Sequence, residues 1–396
     1  MKIETIGFDH HNRVRLVFGN GAVSRLGERA KELGGTRVLL VTDPGLIQAG
    51  HPQRAEEALN SAGLDVTVFS QTVENPTTEC VERCVNVGRE AKVDLIVGLG
   101  GGSSLDTAKG CNFLLTNGGR MQDYWGVGKA TKPMLPLIAV PTTAGTGSEC
   151  QSFALISDAE THVKMACGDP KAAPRISVLD PELTLSQPKL VTARTGMDAI
   201  THAVETAVTK KRNAVSWLYS RESFRLTQLS YEQVLSEPDN QDARAAMLLG
   251  AAYAGIAIEN SMLGAAHAVA NPLTAQYHLV HGQAVGMMLP HVVRWNAQDS
   301  EVRKQYAELA LFAGVVDSHC CEEDAVERLA QRLEQLLDAA GMPRSLSEFN
   351  VQPEDVHILA EAAAQQWTGS FNPRDLTVED FQQLYRHALT TNSATV

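Results

Sequence analysis

The sequence predicts an α/β unit built on a parallel sheet, followed by an all-helical unit. Three observations carry that expectation. Short apolar runs recur through the first half, "RVLLVTD" at 37, "DVTVFSQ" at 65, "VDLIVGLGGG" at 93, "LPLIAVPTT" at 135 and "RISVLDPEL" at 175, bounded by Gly, Pro or Asp and separated by helix-length segments. Such runs describe strands buried on both faces and joined by crossovers. After "LDPELTLSQP" the strand-like runs stop, and residues 188–396 are rich in Ala, Leu, Glu and Gln at helical spacing. A chain of 396 residues also exceeds what one hydrophobic core usually supports. The expected units are residues 1–187 and 188–396.

In chain order, "VLLVTD" comes first. Asp43 closes it, where a carboxylate can accept both hydroxyls of a ribose and repel a 2′-phosphate, which favours NAD over NADP. As an N-cap before "PGLIQAG" the same residue would serve only the helix. "LIVGLGGGSSLDTAKG" then reads as a strand, a Gly-rich turn and a helix. Gly100, Gly101 and Gly102 let the backbone approach a ligand without Cβ clashes, while Ser103 and the first helical amides offer donors to a pyrophosphate. The third loop, "PTTAGTGSE" at 141–149, sets the hydroxyls of Thr142, Thr143 and Thr146 on a glycine-flexible backbone. Loops that follow strands of one parallel sheet share its carboxyl edge, so a common nucleotide ligand is expected there.

In the helical half, "EEDAVERLAQRLEQLLDAAG" closes on Gly341, a suitable C-cap, and "AAMLLGAAYAGIAI" at 245–258 is too short to span a bilayer. "TGMDAITHAVE" places Asp198 and His202 four apart, on one helix face and able to hold one ion together. "GAAHAVANPLTAQYHLVHG" supplies His267 and His281. A straight helix would hold these roughly 21 Å apart. Asn271-Pro272 is therefore expected to break the helix and bring His281 back. One carboxylate and three imidazoles suit a divalent ion such as ferrous iron or zinc. His278, three residues before His281, is a rival ligand. Cys80 and Cys84 also lie four apart, but no second pair matches them, and they read as semi-buried thiols.

The formal net charge of −12 argues against nucleic acid or an anionic membrane surface as partner. A diffusible small molecule is the expected partner. Seven cysteines, an odd number, suggest free thiols, and "MKIETIGFDHH" lacks the basic and apolar segments of a secretory signal. The expected compartment is the cytoplasm.

"GGGSSLDTAK", "PTTAGTGSE", "LDPELT", "TGMDAITHAVE" and "AAHAVANPLTAQYHLVHGQAVGMMLPHVVRWN", in that order, resemble the iron-containing (group III) alcohol dehydrogenase family. The likeness runs from "VFGNGA" at 17 to "GSFNPRDLTVEDFQQLYRHAL" near the end. It implies a Rossmann-like NAD domain, a helical metal domain and reversible hydride transfer between NAD and a small alcohol, diol or hydroxy acid. The implied metal ligands are Asp198, His202, His267 and His281, holding Fe2+, with Zn2+, Mn2+ or Co2+ as alternatives. The implied dinucleotide positions are Asp43, Asn75 of "ENPT", Gly102, Ser103, Thr142, Thr143, Thr146, Lys164 and Leu183. A homodimer or larger homo-oligomer is implied as well.

One departure stands out. Many family members carry a histidine four residues after the third ligand as a proton relay, and this chain has Asn271 there. Asparagine can orient a hydroxyl but exchanges no proton near neutral pH. Either His278 or bulk water then carries the proton, or this subgroup favours a different substrate, or Asn271 simply precedes Pro272 in a turn. A hydroxyacid-oxoacid transhydrogenase that retains NAD is the alternative activity. A dehydroquinate-synthase-like lyase fits less well, because few basic residues stand beside the ligands.

Overall fold

The computed structural model describes residues 7–390. Chain contacts divide it into two compact units, His11–Gln187 and the residues from Pro188 onward, with residues 7–10 grouped with the second.

Nine strands occur among the described residues: β1 (Arg15–Phe18), β2 (Arg37–Val41), β3 (Asp65–Phe69), β4 (Leu95–Gly100), β5 (Gly126–Val127), β6 (Leu137–Pro141), β7 (Phe153–Ser157), β8 (Lys164–Gly168) and β9 (Ile176–Leu179). Six form one sheet in the order β1-β9-β6-β4-β2-β3, parallel throughout. The apolar runs lack polar alternation because both faces are covered. Leu39, Val41 and Ile96 pack into one core with Val81, Val85 and Leu114. Their neighbours Val38, Leu40, Leu95 and Val97 point the other way, into a core with Leu26, Ala30 and Leu59.

The covering helices are α1 (Leu26–Glu32), α2 (Pro44–Ala49), α3 (His51–Ser61), α4 (Thr78–Glu90) and α5 (Gly102–Asn117). The chain runs from β2 outward to β3 and then returns to β4 on the other side of β2. The direction of winding therefore reverses between β2 and β4, and ligands of open α/β sheets bind outside the carboxyl ends of strands at such a point.

The sequence reading did not anticipate β1 or the second sheet, β5-β8-β7, in which β7 and β8 pair antiparallel. These strands are short and half-exposed, so they lack a continuous apolar signature. Cys80 and Cys84 are fully buried in the α4 face of the core.

The second unit holds α6 (Lys189–Thr206), α7 (Ala214–Ser236), α8 (Gln241–Ser261), α9 (Ala265–Tyr277), α10 (His281–Asn296), α11 (Ser300–Phe312), α12 (Glu322–Ala339), α13 (Val356–Ala364) and α14 (Val378–Thr390). Gly341, in the left-handed region, follows the end of α12. No single helix among the described residues is long and apolar enough to cross a membrane.

One expectation is corrected. Asn271-Pro272 does not break the helix, because α9 runs through Pro272 to Tyr277. A proline inside a helix removes the bond to the carbonyl four residues back, here Ala268, and α9 continues despite that loss, with Tyr385 donating its hydroxyl to the neighbouring Val269 carbonyl at 2.7 Å. The chain turns instead at His278, whose φ of 57° ends the helix in the left-handed region. No glycine marked that stop, so the sequence concealed it.

Met262 caps α8 with φ 69° and ψ −177°, a region that essentially only glycine occupies. Met262→Gly is expected to raise stability by about 1 kcal/mol, the strain relieved exceeding the added chain entropy. An unchanged or lower midpoint in urea unfolding would contradict the strain at this residue.

Candidate active site

In the helical unit, three helices bring one carboxylate and three imidazoles together. Asp198 and His202 are one turn apart on α6, His267 lies in the first turn of α9, and His281 opens α10. Asp198 Oδ1 is 3.3 Å from His202 Nε2, 3.6 Å from His267 Nε2 and 3.7 Å from His281 Nε2. The His202 ring stacks on that of His267 with centroids 4.8 Å apart, and His281 stands 5.2 Å beyond. Donor atoms of Asp198, His267 and His281 all lie within 4.8 Å of one another, and His202 joins them through Asp198 and the His267 ring.

Asp198, His202 and His267 are buried, whereas the His281 side chain is 32% exposed. Asp198 Oδ1 and His267 Nε2 are buried and complete no hydrogen bond. Orphaned polar atoms converging on one point are costly unless a ligand satisfies them, and this donor set fits a divalent cation. Burial pushes the Asp198 carboxyl up, but the imidazoles of His202, His281 and His267 outweigh it and hold the group far below the usual carboxylate range.

Glu205, the closing letter of "TGMDAITHAVE", was missed by the sequence reading. It lies seven residues after Asp198, two helical turns along the same face of α6. Its Oε2 is 2.5 Å from His267 Nδ1, and its Oε1 accepts the backbone N–H of Ala266 at 2.6 Å. One carboxylate thus caps α9, which has no side-chain cap of its own, and directs His267 Nε2 toward Asp198. Burial lowers the His267 pKa, but Glu205 and Asp198 prevail and raise it to about 9.

Gly282 explains how α10 comes close enough. A Cβ there would lie 1.9 Å from the Arg194 carbonyl oxygen on α6, so only glycine permits this backbone approach beside His281. The two remaining candidates lie further along α9, Asn271 one turn after His267 and His278 at its C-cap. Asn271 donates its amide to Gln366 Oε1 at 2.9 Å, and His278 is exposed at the C-terminus of α9.

In the α/β unit, eight of the nine expected dinucleotide residues follow strands of the six-stranded sheet at its carboxyl edge, and the ninth, Lys164, opens β8 of the second sheet. Asp43 follows β2, Asn75 follows β3, the glycines follow β4, the threonines follow β6 and Leu183 follows β9. Asp43 caps α2 through Leu46 N at 3.1 Å and accepts the Ser104 hydroxyl at 3.3 Å, linking the two sides of the switch point. Gly102 has no room for a side chain, since its Cβ would lie 2.7 Å from Thr146 Cγ2. The first-turn amides of α5 at Gly102 and Ser103 have no intrahelical acceptor, which suits an anion.

Asn75, with φ 50°, donates its N–H to Ser103 Oγ at 3.2 Å, and Lys164 Nζ donates to Asn75 Oδ1 at 3.2 Å. Thr142 is buried and bonds through its amide to the Gly100 carbonyl. Thr143 packs against Gly101, where a Cβ would lie 3.2 Å from its Cγ2. Leu183 is fully buried in the core and has no side-chain surface to offer a ligand.

Hydride chemistry at a carbinol carbon uses a Lewis acid and a nicotinamide acceptor. Residues 14–181 match the family described as iron-containing alcohol dehydrogenase, and residues 192–389 match the C-terminal family of Fe-containing alcohol dehydrogenases. The chain belongs to the iron-containing alcohol dehydrogenase family and is an oxidoreductase acting on CH–OH groups.

An NAD-dependent methanol dehydrogenase of Bacillus methanolicus is 35% identical, over 94% of this chain and 97% of its own. A 1,3-propanediol dehydrogenase of Citrobacter freundii is 35% identical over 94% and 96%. The crystal structure of a 1,3-propanediol oxidoreductase superposes with a TM-score of 0.93 at 33% identity, covering 97% of this chain and all of that one.

Two outcomes follow for metal loading. Glu205→Gln is expected to lower metal affinity about 10- to 100-fold by loosening His267, as read by chelator competition. Because His267 must lose its proton to bind, apparent affinity for metal should rise with pH up to about 9 and fall below it. A pH-independent affinity between 6 and 9 would contradict the ligand role of His267.

Proposed function

We propose that Asp198, His202, His267 and His281 hold Fe2+ and that the carboxyl edge of the sheet holds NAD for reversible oxidation of a small primary alcohol or diol. The observation that carries this reading is the buried Asp198 carboxylate, with three imidazole Nε2 atoms 3.3–3.7 Å from one of its oxygens. When bound, the divalent ion supplies Lewis acidity to the substrate hydroxyl and NAD supplies the hydride acceptor.

The chain's residues supply the rest. Glu205 retains the Nδ1 proton of His267 and keeps Nε2 available as a donor. Asn271, fixed by its bond to Gln366, orients a hydroxyl without exchanging its proton. His278, exposed at a turn, passes the proton to water. Gly102, Ser103, Thr142, Thr143 and Thr146 surround the pyrophosphate, Asn75 and Lys164 flank it, and Leu183 contributes through its backbone. Asp43 accepts the ribose hydroxyls. The relatives named for methanol and 1,3-propanediol support a small substrate.

The protein works in the cytoplasm as a homodimer or larger homo-oligomer. All seven cysteines are free thiols, which suits a reducing compartment. Pairing through the edge strand β1 is supported by Phe18, which is 46% exposed there.

Reconstitution with ferrous iron under anaerobic conditions should give NADH formation from primary alcohols or diols, and the metal-free protein should give none. Bound NAD without turnover on any alcohol would overturn the reading in favour of a transhydrogenase. Asp43→Gly should shift the NADP/NAD preference by about tenfold toward NADP, roughly 1.4 kcal/mol. Glycine is itself a tolerable N-cap, so the fold should survive. An unchanged ratio would remove the ribose role.

A further inference from the structure

We propose that Lys109, with Asp106 and Ser148, is a positioning device that sets the threonine loop against the Gly-rich loop and thereby tunes affinity for the dinucleotide. The inference rests on the reading of this sheet edge as the NAD site.

Lys109 lies on α5, two turns beyond the glycines, and its side chain is fully buried. A buried ammonium is costly unless its hydrogens are all used. Its Nζ donates to the Ser148 carbonyl at 2.6 Å, to Ser148 Oγ at 2.8 Å and to the Phe153 carbonyl at 2.8 Å. Asp106, one turn earlier, supplies the counter-charge 3.8 Å away. Its Oδ1 accepts the Ser148 hydroxyl at 2.7 Å, and its Oδ2 accepts the amide of Leu155 at 3.2 Å.

These bonds have a direction. All leave α5, and they end on Ser148 and on β7. Ser148 follows Gly147, whose φ of 63° makes the turn, and the Ser148 amide donates back to Thr146 Oγ1 at 3.2 Å. Thr146 in turn touches Gly102, at the head of α5. The result is a closed circuit running from Gly102 along α5 to Lys109, across to Ser148 and back through Thr146. The β7 bonds extend the same control to the second sheet, where Ser157 pairs with Lys164 and Lys164 holds Asn75. A buried ion pair usually contributes little net stability compared with apolar packing, so geometric specificity is the better account of its presence here.

The experiment uses Ser148→Ala, which removes the bridging hydroxyl and leaves both charges and the carbonyl contact in place. Binding of NAD and NADH is measured by fluorescence titration, alongside KM for NAD, KM for alcohol, iron content and thermal unfolding with and without NAD. The expected result is a KM and a dissociation constant for NAD raised about tenfold, the scale of one charge-assisted hydrogen bond. Iron content and KM for alcohol at saturating NAD should stay within about twofold, a margin of ~0.4 kcal/mol. The NAD-induced rise in unfolding midpoint should shrink.

Lys109→Met alone would strand Asp106 and invite misfolding. The neutral double variant Lys109→Met, Asp106→Asn is the second test, and the same selective loss of NAD affinity is expected. Unchanged NAD affinity in both variants overturns the proposal, as does a lowered midpoint whose NAD-induced rise is intact. Gly102→Ala separates the two levels of inference. If it also leaves NAD affinity unchanged, the reading of this edge as the NAD site fails; if it alone weakens binding, only the positioning role fails.

Discussion

The helical unit depends on one carboxylate that belongs to no strand or loop motif. Glu205 on α6 reaches the first turn of α9, receives its free amides and takes the Nδ1 side of His267. A helix that starts at Gly264 without a capping side chain needs an acceptor from elsewhere, and the Asn372 side chain supplies the Ala265 amide with another. Helix register and ring orientation are thereby fixed by the same group. If Glu205 were apolar, the amides of Ala266 and His267 would be buried without this acceptor and the His267 ring would lose its direction.

The α/β unit relies on a different economy of means, the reversal of winding beside β2. Two residues from opposite sides of that reversal, Asp43 and Ser104, meet at 3.3 Å. No local sequence rule connects them, yet strand order makes them neighbours. The loops after β2, β4 and β6 sit side by side because those strands are adjacent and point the same way. Such a surface is polar backbone and small side chains over an apolar core, which is the composition that a phosphate-bearing ligand needs.

Much of this was legible in the sequence, for identifiable reasons. The central strands were plain because burial on both faces leaves unbroken apolar runs, and Asp198 with His202 was plain because helical spacing puts them on one face. The second sheet was hidden because strands of five residues or fewer, partly exposed, carry no such pattern. The turn before His281 was misplaced because Pro272 looks like a stop, whereas α9 continues through it to Tyr277 and turns at His278 without a glycine. Glu205 and Lys109 were overlooked for a different reason. Their value lies in what they touch, and a charged letter in a helix reads as a solvated one.

The close approach of α10 to α6 at Gly282 has a consequence for how this half of the chain is tied together. With its cysteines all free, the protein has no covalent bond between distant segments. A cation held by Asp198, His267 and His281 would join the middle of α6 to the first turn of α9 and to the start of α10, closing one long loop and one short one at once. Cross-links of that reach act mainly by restricting the unfolded chain, and their effect grows slowly with loop length. The donor atoms would then work as a removable staple, and the cell's supply of metal would govern the lifetime of the fold as well as the reaction it carries out.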